Sequence, residues 1–313
     1  MWQGRARYVR PALRAEPLSA PTSAPEASRS PFAIAADFVS LTKPRLSGLV
    51  LFTAAGGMWL SGRSLDWKTW LFAMAGTAGT VGAANTINCV LERDSDRFMA
   101  RTAKRPLPMQ RLSATSALIF AVLLAVVSLP LLWVGVNWLT GVLGVVALCS
   151  YAFVYTPMKS RTHWAMQVGA IPGALPPLMG WTAATGRIEA PGLVLFAIMF
   201  FWQLPHFIAI ALFRKNEYQA AGLTSLPLEK GDDVARLHAV GYVAALLGVS
   251  VLPYFVGVAG WLYLVVALVL GAWFAWVAVR GWRGQLGPVW ARQLFTTSLL
   301  YLTGLFAALG LPV

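Results

Sequence analysis

The sequence predicts an all-α polytopic membrane protein with nine membrane-spanning helices. The chain of 313 residues is 58% hydrophobic and only 12% charged, and it contains 14 tryptophans, a composition that soluble domains do not reach. A spanning helix needs about 20 mainly apolar residues, and nine stretches near that length recur with only short polar breaks between them. These stretches lie near 46–62, 68–91, 113–133, 137–155, 165–184, 192–212, 239–258, 260–280 and 289–311.

The basic residues predict how these helices cross the membrane. The formal net charge is +13, and 21 of the 25 lysines and arginines fall before the first span or in every second loop. Because cytoplasmic loops carry the excess of Lys and Arg, the amino terminus is predicted to face the cytoplasm or matrix and the carboxyl terminus the opposite side. The cations are spread over five segments rather than gathered on one folded domain, which argues against a nucleic-acid partner.

Residues 1–36 differ in composition from the rest of the chain. They are predicted to form a disordered basic segment rich in Pro, Ala and Ser, ahead of a transmembrane domain at 37–313. A mitochondrial transit peptide has a similar Arg-rich, acid-poor composition, but four prolines from Pro11 to Pro25 would interrupt an amphipathic helix. We therefore expect a bacterial inner membrane, with the mitochondrial inner membrane as the alternative.

Three side chains with oxygen ligands recur at helical spacing where the second apolar stretch ends. Asn88, Glu92 and Asp96 stand four residues apart, so they fall along one face of a continuing helix. Mg²⁺ prefers oxygen ligands and commonly combines one or two carboxylates with substrate phosphates. The pattern predicts a magnesium site. The alternative is a solvated helix end whose acids pair with Arg93 and Arg97.

A strip of cations follows these carboxylates. Arg101, Lys104 and Arg105 lie in one short segment, and Pro106 prevents a helix from continuing through it. Guanidinium groups bind phosphate oxygens through two parallel hydrogen bonds. Metal-binding oxygens on one side and arginines on the other predict a clamp for a diphosphate.

Two further polar clusters lie in or beside apolar stretches. Tyr155 and Lys159 are four residues apart at the end of the fourth span, where the alternative is an interfacial tyrosine with a lysine that reaches the surface. Gln203 and His206 flank Pro205 inside the sixth span, where polar groups need partners or a cavity. A lone buried histidine is usually structural, but Gln and His beside a proline favour a cavity.

These motifs together resemble the UbiA-type intramembrane prenyltransferase family. The resemblance runs from about residue 41 to residue 227 and continues more loosely through the last three spans. It depends on several separated motifs that occur in the family's order at the ends of the predicted spans. The motifs are Leu41–Arg45, Asn88-x-x-x-Glu92-x-x-x-Asp96, Arg101-Thr102, Arg105–Pro108, Tyr155–Lys159, Gly173–Trp181 and Trp202–Phe207.

The resemblance implies a helical bundle around a central cavity that opens toward the cytoplasm. Within the family, these motifs resemble those of one branch. Enzymes of that branch transfer the farnesyl group of farnesyl diphosphate to the 2-vinyl group of haem B with the help of Mg²⁺. The products are haem O and diphosphate, which implies a haem A synthase or a terminal oxidase assembly as partner and membrane lipid as surroundings.

The resemblance also implies roles for individual residues. The catalytic set is Asn88, Glu92, Asp96 and Lys159, of which the first three hold the metal. The diphosphate-binding set is Lys43, Arg45, Arg101, Arg105, Tyr155, Arg214 and Lys215. The acceptor site or second polar motif is Gln203, His206, Asn216 and Glu217.

The chain departs from the family pattern at two places. Glu92 stands where the family usually has aspartate, and the second aspartate pair is replaced by some combination of His206, Asn216 and Glu217. Two other functions are considered: a prenyltransferase for a quinone precursor or chlorophyll-type acceptor, and a membrane transporter. A transporter would need polar groups through the whole membrane depth, whereas the charged motifs here collect on one side.

Overall fold

The computed structural model describes residues 30–284 and 286–311. In this part of the chain every regular element is helical, which confirms the all-α prediction. The elements are α1 Pro31–Leu41, α2 Pro44–Leu60, α3 Trp67–Asp96, α4 Ala114–Trp133, α5 Trp138–Cys149, α6 Thr156–Met158, α7 Ala165–Thr185, α8 Ala190–Phe213, α9 Lys215–Ala220, α10 Leu226–Glu229, α11 Asp232–Ser250, α12 Leu252–Phe255, α13 Trp261–Gly284 and α14 Pro288–Leu309.

Five of the predicted spans are confirmed by helices that are long and apolar enough to cross a membrane. They are α4, Trp138–Met158, α8, Asp232–Phe255 and α13, with mean hydropathies from 1.6 to 2.5. The chain is therefore an integral membrane protein. Helices α2, α3, α7 and α14 occupy the other four predicted stretches, but α2 has only 17 residues and the others carry more polar or small residues on buried faces.

Helix α1 precedes the first long helix and packs beside α3 and α4. It begins at Pro31, so six residues of the segment predicted to be disordered are helical, while residues 1–29 lie outside the described part of the chain. Leu41 packs against Cys89 and Leu107. Asp37 forms a bidentate ion pair with Arg111, with N–O distances of 2.9 and 3.2 Å. Helix α1 is thereby attached to the loop that carries the cationic strip.

Helices α2 and α7 pack closely enough that two glycines are required between them. A Cβ on Gly57 would overlap the backbone carbonyl of Pro177, and a Cβ on Gly180 would overlap that of Ala54. Glycine is the residue that permits such backbone contact. This packing fixes the position of α7, which lines the site described below.

The second half of the chain forms the largest apolar core. Helices α8, α11, α13 and α14 bury Tyr263, Phe274, Trp290 and Tyr301 almost completely. The indole nitrogen of Trp290 donates to the carbonyl of Val277 at 2.8 Å, so its polar edge is satisfied inside this core. Helix α8, which lines the site described below, is packed into this core.

A π-helical segment, Ser150–Tyr155, lies between α5 and α6. π-Helical turns are rare in proteins, but those that occur are often found at functional sites. The segment ends at Tyr155, a short distance before Pro157 and Lys159 in the chain. It brings both Tyr151 and Tyr155 to one cavity. The motif predicted at the end of the fourth span is therefore presented by an irregular helix.

Candidate active site

A cavity of about 690 Å³ lies among α2, α3, the π-helical segment, α7, α8 and α14. Its two ends differ in chemistry. One end carries charged side chains from α3 and the following loop, and the other is formed by aromatic and apolar residues of α8 and α14. Residues of the segment 223–227, which follows α9, also face the cavity.

The α3 stripe predicted from the spacing lies on one face, and its three members line the cavity. Asn88 and Asp96 are buried, with only 1% and 3% of their surfaces exposed. Glu92 pairs with Lys159 at 2.7 Å, and Asp96 pairs with Arg105 at 2.8 Å. The two carboxylates therefore bind cations from two other segments, rather than the neighbouring arginines of the solvated-end alternative.

Asn88 connects three segments of the chain. Its carboxamide oxygen accepts a hydrogen bond from Lys43 Nζ at 2.6 Å, and its Nδ2 donates to Thr156 Oγ1 at 3.1 Å. Lys43 directly precedes α2 and has a left-handed backbone, with φ of 52°. A residue with a Cβ is uncommon in this region, and such outliers cluster at functional sites.

The charged end has the electrostatics of an anion site. Two carboxylates, Glu92 and Asp96, face five cations, an excess of three positive charges. The cations that line the cavity are Lys43, Arg101, Arg105, Lys159 and Arg214. A diphosphate, alone or with a divalent metal, matches this excess.

The oxygen donors at this end fit Mg²⁺. Asn88 Oδ1 and the carboxylates of Glu92 and Asp96 are hard ligands on successive turns of α3. Among the described residues, no three His, Cys, Asp or Glu side chains form a metal-binding cluster. An ion held by these oxygens would take two carboxylates and complete its coordination with water and substrate phosphates.

Lys159 is also connected to the segment after α9. Its ammonium lies 4.5 Å from the centre of the Tyr155 ring, and its carbonyl accepts a hydrogen bond from Thr224 N at 2.7 Å.

Nearby, both the backbone N–H and Nδ1 of His163 lie within 3.0 Å of Glu229 Oε2. Partial burial acts to raise the pKa of Glu229, but the bonds from His163 outweigh it and hold this pKa below its usual value.

The end of the cavity formed by aromatic and apolar residues of α8 and α14, here called the aromatic wall, contains both polar residues predicted in the sixth span. Gln203 Nε2 donates to the carbonyls of Met199 and Ala170, at 2.9 and 3.3 Å. His206 Nδ1 lies 2.8 Å from Ser298 Oγ, and its ring lies 4.6 Å from that of Phe295. Both side chains line the cavity, as expected for polar groups beside a proline in a span.

Four predicted site residues are not brought to the cavity. Arg45 is exposed on α2, Lys215 pairs with Asp232 at 2.6 Å, and Asn216 and Glu217 lie on α9 and do not line the cavity themselves. The helix breaks at Arg214, which keeps its own side chain in the cavity and binds Glu217 at 2.9 Å. None of these four residues lines the cavity, and their predicted roles stay predictions.

Other residues at the site were not among those predicted. Asn85 is buried one turn before Asn88, and its Nδ2 donates to the carbonyl of Thr42 at 3.1 Å. Tyr151 lies one turn before Tyr155, so helical spacing could have identified both. Tyr218 reaches the cavity from α9, and the sequence contains no signal for it.

The fold and this site define a membrane-embedded prenyltransferase. Residues 49–305 match the model of the UbiA prenyltransferase family, and the chain belongs to this family. It is 57% identical over 278 residues to the Protoheme IX farnesyltransferase of Myxococcus xanthus (strain DK1622), covering 89% of this chain and 95% of that relative. Membership of this enzyme family rules against the transporter alternative.

Solved structures show the same fold at low sequence identity. A structure described for digeranylgeranylglyceryl phosphate synthase has a TM-score of 0.77 at 17% identity, covering 87% of this chain and 96% of that one. A UbiA homologue from Archaeoglobus fulgidus bound to GPP and Mg²⁺ has a TM-score of 0.63 at 18% identity, covering 88% and 100%.

Proposed function

We propose that this protein transfers the farnesyl group of farnesyl diphosphate to the 2-vinyl group of haem B, giving haem O and diphosphate. The observation that carries the proposal is that one cavity joins a charged end suited to a diphosphate with an aromatic wall suited to a large flat acceptor. The 57% identical relative named Protoheme IX farnesyltransferase supports this choice of donor and acceptor over a quinone precursor or a chlorophyll-type acceptor.

The charged end would bind and activate the diphosphate. Lys159 and Arg105 are held by carboxylates in the described state, and each would move part of its hydrogen bonding to phosphate oxygens when the substrate binds. Lys43 and Arg101 add two donors from other segments. As the C1–O bond of farnesyl diphosphate breaks, negative charge grows on the leaving group, and these fixed cations stabilise it.

Mg²⁺ would be held by Asn88, Glu92 and Asp96. Bound there, it supplies a divalent charge that offsets the charge developing on the diphosphate. The Archaeoglobus fulgidus homologue bound to GPP and Mg²⁺ supports this role for a member of the same fold.

The apolar part of the cavity would protect the allylic cation. Trp202, Phe207 and Phe295 line this part, and aromatic faces attract cationic charge. Enclosure by apolar side chains keeps bulk water from the cation before it meets the acceptor. The acceptor would lie against the wall that carries Gln203 and His206.

The proposal includes the predicted arrangement in the membrane. Nine spans would enclose the cavity, with the amino terminus and the charged end on the cytoplasmic side of a bacterial inner membrane and the carboxyl terminus opposite. The positive-inside pattern and the bacterial relative support this arrangement. Delivery of haem O to a haem A synthase or a terminal oxidase stays a prediction.

The test uses purified protein in detergent with farnesyl diphosphate, haem B and Mg²⁺. We expect release of diphosphate together with a haem whose mass has increased by a farnesyl-derived group. Unchanged haem, with prenylation of 4-hydroxybenzoate in a parallel reaction, would overturn the acceptor assignment.

A further inference from the structure

The proposed reaction creates a second cation, which needs a water molecule and a base. When C1 of the farnesyl group bonds to the terminal vinyl carbon, the C1–O bond breaks and the vinyl double bond supplies the electron pair. The adjacent vinyl carbon, next to the porphyrin ring, is left positively charged. Water can discharge this cation by forming a C–O bond, provided that a neighbouring group accepts one of its protons.

Hydrogen bonding fixes which ring nitrogen of His206 carries a hydrogen. The hydroxyl of Ser298 has one hydrogen, and it donates this hydrogen to the carbonyl of Phe295 at 2.6 Å. Ser298 Oγ can therefore only accept at its contact with His206 Nδ1, which must carry the hydrogen. A neutral His206 then has its lone pair on Nε2, and Nε2 makes no hydrogen bond within the described part of the chain.

Gln203 offers a second acceptor in the same way. Its Nε2 is committed to the carbonyls of Met199 and Ala170, which fixes the orientation of the carboxamide. The other atom, Oε1, faces Gly173, where any Cβ would overlap it, and it has no hydrogen-bond donor among the described residues. Gln203 and His206 are three residues apart on α8 and line the same cavity.

We propose that Gln203 and His206 bind the water molecule that discharges the cation, and that His206 is the base that removes its proton. Two acceptors take the two hydrogens of the water, so its oxygen lone pairs are directed away from them and toward the substrate. The water oxygen bonds to the cationic carbon, and one proton passes to His206 Nε2. Ser298 is a positioning residue, because it keeps the hydrogen on Nδ1 and the lone pair on Nε2.

This inference rests on the proposed function, and the two are separated by measuring labelled porphyrin product and diphosphate release in the wild-type protein and in variants. Wild-type protein is incubated with farnesyl diphosphate, haem B and Mg²⁺ in ¹⁸O-labelled water, and the porphyrin product is analysed by mass spectrometry. We expect one labelled oxygen in each farnesylated porphyrin. No farnesylated porphyrin at all would overturn the proposed function, whereas a labelled product whose rate and whose ratio to diphosphate are unchanged in His206→Gln would overturn the inference alone.

Variants test the assigned residues. For His206→Gln we expect the rate of labelled product to fall about 100-fold, the usual contribution of a general base. Diphosphate release should fall less, because ionisation occurs at the other end of the cavity, so the ratio of porphyrin product to diphosphate decreases. His238→Gln is the matched control, since His238 is exposed on α11. An unchanged rate and ratio in His206→Gln would overturn the assignment.

The same ratio tests the other two residues. Gln203→Leu and Ser298→Ala should each lower it, whereas Gln167→Leu and Ser250→Ala, at residues outside the cavity lining, should not. Ser298→Thr keeps the hydroxyl and should restore the ratio lost in Ser298→Ala. The Soret band of bound haem should be the same in wild type and His206→Gln, because a shift indicating a lost axial ligand would make His206 an iron ligand instead.

Discussion

The charged end of the cavity and its aromatic wall hold their polar groups in different ways. At the charged end, Glu92 and Asp96 are each paired with a cation from another segment. At the wall, Gln203 donates to two backbone carbonyls and His206 contacts a hydroxyl, while Gln203 Oε1 and His206 Nε2 make no hydrogen bond within the described residues. We therefore expect the polar groups at the charged end to exchange partners when substrate binds and those at the wall to keep theirs.

This difference has a physical reason. A charged ligand can replace one member of an ion pair without leaving a buried charge alone, so paired carboxylates and cations suit a site that binds and releases diphosphate. A neutral side chain held in one orientation suits a reaction step in which direction matters more than charge.

Removal of the metal should have the largest effect. After treatment with EDTA, diphosphate release should become undetectable, because the leaving group then lacks the divalent charge, and excess Mg²⁺ should restore it. The measurement is the initial rate of diphosphate release by purified protein. Full activity after complete chelation would mean that the cations of the charged end are sufficient without a metal.

Asp96→Asn should lower kcat about 100- to 1000-fold, the range for loss of one preorganised electrostatic group at a developing charge. The amide keeps the shape of the side chain, so the elution volume in detergent should not change. Asp94→Asn is the control, because the Asp94 side chain is 75% exposed and outside the cavity lining. Equal rates for the two variants would remove Asp96 from the site.

Lys159→Met should raise the KM for farnesyl diphosphate about tenfold, which corresponds to about 1.4 kcal/mol of lost binding. Methionine keeps much of the length over the Tyr155 ring and removes the charge. Lys104→Met, at an exposed lysine outside the cavity lining, should bind the substrate as wild type does. If both variants have the wild-type KM, the Glu92–Lys159 pair is structural only.

Glu217→Gln should have the smallest effect, a change in kcat/KM of less than about twofold, since surface ion pairs contribute little. Glu217 binds Arg214 but does not line the cavity. Steady-state rates at several concentrations of farnesyl diphosphate provide the measurement. A loss as large as that of Asp96→Asn would restore Glu217 to the active site and show that α9 moves inward.

The charged end was largely predictable from the sequence because its main residues share one helix. Asn88, Glu92 and Asp96 follow the periodicity of α3, so their spacing in the sequence was enough to predict that they lie on one face of the helix. Their partners could not be assigned from spacing, because Lys43 and Lys159 come from distant segments that meet only in the folded bundle. A carboxylate stripe shows where a site is, but it does not show which cation completes each pair.

The wall and the segment after it were less predictable. The sequence identified Gln203 and His206 as polar groups at membrane depth, but it contained no indication that Ser298, 92 residues away from His206, would hold the histidine. It also gave no indication that the chain breaks at Arg214 and that Asn216 and Glu217, on the short helix that follows, lie outside the cavity lining. A break of one residue redirects every side chain that follows.

The backbone at the start of α2 links stability to function. Lys43 is held at φ of 52°, where a residue with a Cβ costs about 1 kcal/mol relative to the right-handed region and glycine does not. A glycine there would relax the chain, but it would also remove the amine that reaches Asn88. Loss of that hydrogen bond would cost at least about as much as the backbone would gain, so the strained residue is tolerated where its side chain holds Asn88 in place.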